Sequence, residues 1–94
     1  MAQSIIQKER ECFICGSQIW LECHHILSGN PNRKLSEKYG LKVYLCHYCH
    51  NTPPNGVHFN KANRLKLQQI AQKAFINTYP ELDFVRIFGK NYLD

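Results

Sequence analysis

Leu45-Cys46-His47-Tyr48-Cys49-His50-Asn51 is the stretch on which the reading of this chain turns. A Cys-x2-Cys pair is half of a metal knuckle, and the other half lies upstream as Cys12-Phe13-Ile14-Cys15, followed by Gly16 and Ser17. Two such pairs about 30 residues apart build a closed tetrahedral zinc site from four thiolates, which are soft ligands suited to Zn²⁺. The other readings open for the quartet are redox cysteines or two disulfides. The fifth cysteine, Cys23, has no partner at motif spacing and reads as a small buried hydrophobe on a strand.

Between the knuckles, Gln18 to Ile26 is rich in β-branched, aromatic and apolar residues and predicts a strand ending in Cys23-His24-His25. A turn at Gly29-Asn30-Pro31-Asn32 and a helical turn or two from Arg33 to Tyr39 follow, with Gly40 as the stop. Leu41 to Leu45 predicts the second strand. Pro53 and Pro54 forbid a helix through the next loop. One long helix should begin near His58 to Lys61 and run to about Thr78, with Leu67, Ile70, Ala71, Ala74 and Phe75 as its buried stripe. Leu82 to Phe88 predicts a last short helix before Gly89. The expected fold is a single α+β domain over residues 1–94: knuckles and a two-strand-plus-helix core over about 12–60, and a helical part over about 58–94.

At 94 residues, of which 44% are hydrophobic, the chain buries only about 60–65% of its unfolded surface, so a metal staple meets a physical need. No apolar run approaches the ~18 residues of a membrane span, and the N-terminal MAQSIIQKERE lacks a signal peptide's apolar middle. These features predict a cytoplasmic, reducing setting in which cysteine pairs mean metal. The formal charge of +5 falls to about +3 once four thiolates hold one Zn²⁺, and a basic balance favours a polyanion such as nucleic acid.

All five histidines, His24, His25, His47, His50 and His58, stand beside the knuckles. Adjacent strand residues face opposite sides, so His24 and His25 call for two different jobs: one ring to hold a cation, the other to take a proton. His47, inside the knuckle, reads as structural. Trp20, Tyr39, Tyr44 and Tyr48 read as core side chains rather than base-stacking platforms.

The order Cys-x2-Cys, Leu21-Glu22-Cys23-His24-His25-Ile26, Leu45-Cys46-x2-Cys49-His50, then His58, resembles the zinc-containing branch of the HNH, or ββα-metal, endonucleases, in particular their small bacteriophage members. The resemblance implies a small ββα-metal core with a four-cysteine zinc site, and hydrolysis of phosphodiesters by an endonuclease or nickase. It makes His24 and His50 ligands of a catalytic divalent cation (Mg²⁺, Mn²⁺, Ni²⁺ or Zn²⁺) and His25 the base that activates water. His58 would complete the metal or phosphate contacts, at a longer spacing than the family's, with two prolines intervening. The family's Asn, which orients the base, is replaced by Leu41; Asn51 is the first substitute, with Asn60 or a backbone carbonyl as the others. The products would carry 5′-phosphate and 3′-hydroxyl ends.

Arg33, Lys34, Lys38 and Lys42 between the strands, with Lys61 and Arg64 on the long helix, are the candidate phosphate grip, although the same residues can form a solvated face. The implied partner is nucleic acid, DNA first, and the implied setting is the cytoplasm of a bacterial host beside phage packaging or other DNA-processing proteins. Oligomeric state stays open. The competing readings are a non-catalytic zinc module that binds nucleic acid or protein, and a disulfide-stapled secreted factor.

Overall fold

The structure is a computed structural model and describes residues 3–93. Two short strands, β1 (Leu21–His25) and β2 (Lys42–Cys46), pair antiparallel, with Leu21 opposite Cys46 and His25 opposite Lys42. Between them lies α1 (Asn32–Tyr39), and after β2 come α2 (His47–Asn51), α3 (Lys61–Thr78) and α4 (Phe84–Phe88). The class is α+β, as expected. No helix among the described residues is long and apolar enough to cross a membrane.

Local chemistry accounts for the element ends. Gly40 closes α1 in the left-handed region (φ 73°), and its N–H returns to the Ser36 carbonyl. Asn60 caps α3 by accepting from the Asn63 N–H at 3.0 Å, and Asp83 does the same for α4 from the Arg86 N–H at 3.2 Å. The buried Ser36 hydroxyl donates to the Leu27 carbonyl at 2.7 Å and accepts from the Leu27 N–H at 3.2 Å, which pins α1 to the chain leaving β1.

The outer edge of β2 is covered by the N-terminal segment. Ser4 Oγ donates to the Lys42 carbonyl at 2.6 Å, the Tyr44 N–H donates to Gln7 Oε1 at 2.8 Å, and the Phe13 N–H donates to the Tyr44 carbonyl at 2.8 Å. A two-stranded sheet alone would be marginal, and these contacts leave fewer edge groups unpaired. The core gathers Ile26, Leu27, Leu41, Val43, Leu45 and Val57 from around the sheet. Against them lies an aromatic cluster centred on Phe75, whose ring is 5.2 Å from Tyr39 and 5.4 Å from Phe84.

Several expectations need correction. The first strand covers Leu21–His25 rather than Gln18–Ile26, because Trp20 takes a positive φ of 53° and breaks the extended run. His47–Asn51 forms a short helix of its own, capped by the Cys46 sulfur, which the sequence reading assigns to no element. Ile70 lies outside the α3 stripe; Leu67, Ala71 and Phe75 are buried, while the fourth buried position belongs to Gln72. Gln72 is satisfied there, donating to Asn91 Oδ1 at 2.9 Å and accepting from the Tyr92 N–H at 2.7 Å. Trp20 and Tyr48 are exposed, at 79% and 56%, so they are not core. Cys23 is exposed as well, because its β1 position faces away from the packed side that buries His24. Tyr39 is partly buried and packs on the core as expected, and Tyr44 is half-buried beneath the Arg10 guanidinium.

Candidate metal centre

The two knuckles meet at one end of the hairpin. Cys12 Sγ accepts from the Cys15 N–H, and Cys46 Sγ from the Cys49 N–H, both at 3.5 Å, so each pair closes the same tight turn. The Phe13 bond to Tyr44, and the His47 N–H donating to the Trp20 carbonyl at 3.0 Å, carry the first knuckle onto the second. The sulfurs of Cys12, Cys15, Cys46 and Cys49 all lie within 4.8 Å of one another, with Cys15 and Cys46 3.6 Å apart. A tetrahedron with Zn–S bonds of about 2.3 Å has edges of about 3.8 Å. The four cysteines could therefore hold a zinc ion.

The electrostatics of the bare quartet point the same way. Burial raises the Cys12 thiol, but the backbones of Cys15, Cys46 and Ile14 outweigh it and bring it down from 9.0 to about 6. Burial, with the neighbouring sulfurs of Cys46, Cys12 and Cys15, pushes Cys49 strongly upward. The Ser17 backbone pulls Cys15 down, yet burial and the sulfurs of Cys12 and Cys46 raise it on balance. One thiolate is welcome here and four are not, unless a cation joins them.

A second cluster forms from His24 on β1, His50 on α2 and His58 in the loop before α3, whose ligand atoms also lie within 4.8 Å of one another. The loop that separates His50 from His58 folds back on α2. The Gly56 N–H donates to the Thr52 carbonyl at 2.7 Å, Val57 N–H to Cys49 carbonyl at 2.9 Å, and His58 N–H to His50 carbonyl at 3.3 Å. The loop, its two prolines included, therefore returns His58 to the cluster rather than keeping it away.

The ring nitrogens cannot all be satisfied by hydrogen bonds to one another. His50 Nδ1 lies 2.8 Å from Glu22 Oε1, which makes Nδ1 the donor and leaves a lone pair on Nε2. That Nε2 faces His24 Nδ1 at 3.2 Å and His58 Nε2 at 2.9 Å, two contacts on one lone pair. Nitrogens bound to a metal at about 2.0–2.1 Å stand about 2.8–3.4 Å apart, depending on geometry, a range that includes both spacings. His24 is 4% exposed, and its Nε2 is a buried polar atom with no hydrogen-bond partner. Burial, then repulsion from His50, His58 and His25, pushes His24 down from 6.5 to about 3, so its ring is neutral and able to donate electrons. Burial, followed by His50 and Arg64, lowers His58 against the pull of Glu22. The donor set fits a divalent cation of the Zn²⁺, Ni²⁺ or Mn²⁺ type, which accepts imidazole readily.

Glu22, two residues before His24, is a member of the site that the sequence reading passed over. Besides His50 it accepts from Asn51 Nδ2 at 2.9 Å and contacts His47 Nδ1 at 3.2 Å. The hydrogen bonds from His50 and then His47 lower its carboxyl below the usual range. A carboxylate behind a ligand imidazole fixes the tautomer and raises ligand basicity. Its signal was present: two residues apart on a strand means one face.

The remaining candidates lie outside this cluster, His25 on the opposite face of the strand as alternation predicts. His25 leaves β1 on the side opposite His24, and its imidazole is not free: Nε2 lies 2.9 Å from Glu37 Oε1. Asn51 does not orient His25, because its amide is engaged with Glu22 and His50; the group on His25 is Glu37 of α1. Leu41 is fully buried core. Lys42 does not stand on the open surface with the other candidate phosphate contacts. It is 8% exposed, and its ammonium lies 2.6 Å from Glu37 Oε2. Arg33, Lys34, Lys38 and Lys61 line the surface to differing degrees, and half-buried Arg64 reaches the Val57 carbonyl at 3.4 Å. A cavity of about 580 Å³ opens beside Cys23, Lys42 and Tyr44 on the other side of the hairpin, lined by none of the three clustered histidines. Compared with protein families, curated proteins and solved structures, the chain gives no match.

Proposed function

We propose that the protein is a metal-dependent endonuclease or nickase of the ββα-metal type, hydrolysing phosphodiester bonds of nucleic acid. The observation that carries the reading is the convergence of His24, His50 and His58 on one point, backed by Glu22 and separate from the sulfur quartet. A zinc-pinned scaffold needs only the four cysteines, whereas three imidazoles holding a cation would leave room for water and phosphate oxygens, as a catalytic site requires.

In this reading His24, His50 and His58 hold the cation, which when bound supplies positive charge to a non-bridging phosphate oxygen and the departing oxygen. Glu22 keeps His50 in the tautomer whose Nε2 is the donor atom. His25 takes a proton from water. The resulting hydroxide forms a bond to phosphorus as the bond to the 3′-oxygen breaks, leaving a 5′-phosphate, and the 3′-oxygen is protonated from solvent. Arg33, Lys34, Lys38 and Lys61 give the sequence-independent attraction to phosphates.

A second reading, a non-catalytic zinc module that binds nucleic acid or a protein partner, is favoured by one observation: His25 and His24 leave opposite faces of β1. Supercoiled plasmid incubated with the protein and Mg²⁺, Mn²⁺, Ni²⁺ or Zn²⁺, with and without chelator, separates the two. Nicking that disappears in His50→Ala supports the nuclease. Plasmid retarded in a gel but intact in every metal supports the module.

A further inference from the structure

We infer that Glu37 is the positioning residue of the base, holding His25 in the tautomer that leaves Nδ1 free to accept a proton. The inference rests on the nuclease reading and concerns a residue of α1, outside both metal clusters.

The local geometry gives each carboxylate oxygen of Glu37 a separate task. Oε1 lies 2.9 Å from His25 Nε2, and Oε2 lies 2.6 Å from the ammonium of Lys42. Lys42 is the register partner of His25 across the hairpin, so all three side chains meet on one face of the sheet. The ammonium is held there by burial, at 8% exposure, and cannot turn away to solvent. With Lys42 and then His25 hydrogen-bonded to it, the Glu37 carboxyl falls from 4.5 to about 2, so it is a permanent acceptor at neutral pH. An acceptor facing Nε2 requires Nε2 to carry the hydrogen. In a neutral imidazole the lone pair is then on Nδ1, and Nδ1 has no hydrogen-bond partner among the described residues.

The same geometry says what Glu37→Gln does. A carboxamide has one oxygen and one NH₂ group. Lys42 is a donor only, so it takes the oxygen, and the NH₂ group is turned toward His25. His25 Nε2 must then accept, its hydrogen moves to Nδ1, and the nitrogen assigned to take the proton is blocked. Size and packing are unchanged, while the proton is in the wrong place.

The test is nitrogen-15 NMR of the zinc-loaded protein at about pH 8.5, where neutral imidazoles dominate, together with nicking kinetics. In the wild type the His25 ring should show hydrogen on Nε2, and in Glu37→Gln on Nδ1. The variant's kcat should fall roughly 10²–10⁴-fold with KM little changed, because grip on phosphate is untouched. Zinc content and circular dichroism should match the wild type. An unaltered tautomer, or an unaltered kcat, in a folded Glu37→Gln protein overturns the inference while leaving the nuclease reading in place. If the variant does not fold, the wild-type spectrum decides alone, and hydrogen on Nδ1 there refutes the placement. A wild type inert in every metal removes the nuclease reading itself, and the positioning role of Glu37 with it, whatever the spectrum shows.

Discussion

Cys46→Ser tests the division of labour between the two clusters. Cys46 stands at the end of β2, accepts the Cys49 N–H and lies 3.6 Å from Cys15 across 31 residues of chain. Closing a loop of that length in the unfolded ensemble costs about 12 cal/mol/K, or about 4 kcal/mol at 25 °C. A metal bridging the knuckles supplies at least that constraint, and small domains have only about 5–15 kcal/mol of net stability. Losing the bridge should therefore lower the thermal midpoint by about 15–30 °C for a chain of this size. In urea the midpoint should fall by about 2–4 M. The assay is thermal and urea unfolding followed by circular dichroism, with zinc measured by atomic absorption on the same samples. A Cys46→Ser protein that keeps one zinc per chain and melts within about 5 °C of the wild type refutes the reasoning, because the sulfur cluster would then not be what closes the fold.

Four further outcomes follow from the same geometry. Wild type equilibrated with excess Zn²⁺ or Ni²⁺ should hold two metals per chain by mass spectrometry of the folded protein, and His50→Ala one, with little change in far-ultraviolet circular dichroism. His25→Ala should stay folded and zinc-loaded while plasmid nicking falls roughly 10²-fold or more. Arg33→Ala with Lys34→Ala should weaken DNA binding and reduce the slope of log affinity against log salt by about 1–2, whereas Lys42→Met should leave that slope unchanged because its charge is buried against Glu37. Trp20, the one tryptophan, is 79% exposed, so its fluorescence should be readily quenched by acrylamide in the folded state and change little on unfolding.

Lys42 looked like one more cation in a basic stretch, but its register opposite His25 set its ammonium against Glu37 of α1, where it is buried with that carboxylate as counter-charge. Cys23 and Trp20 were assigned to the interior from their apolar character. Cys23 sits on the open side of β1, and Trp20 has a left-handed backbone that turns it outward. Gln72 was missed because its polar head finds Asn91 and Tyr92, close to each other in sequence but far from Gln72, and only chain reversal after α3 brings them near. For Lys42 and Gln72 burial depended on a neighbour remote along the chain, which local composition does not report.

The sequence by itself determined the thiol quartet, the two strands that connect its halves and the long capped helix, because spacing, strand composition and end signals act within a few residues. It also located every histidine of the second cluster. Only the tertiary structure decided which of them share a centre and what His25 meets: the folded-back loop brings His58 onto His50, and α1 sets Glu37 against His25. Ligand type is a property of a residue, whereas convergence of lone pairs on one point is a property of three elements packed together.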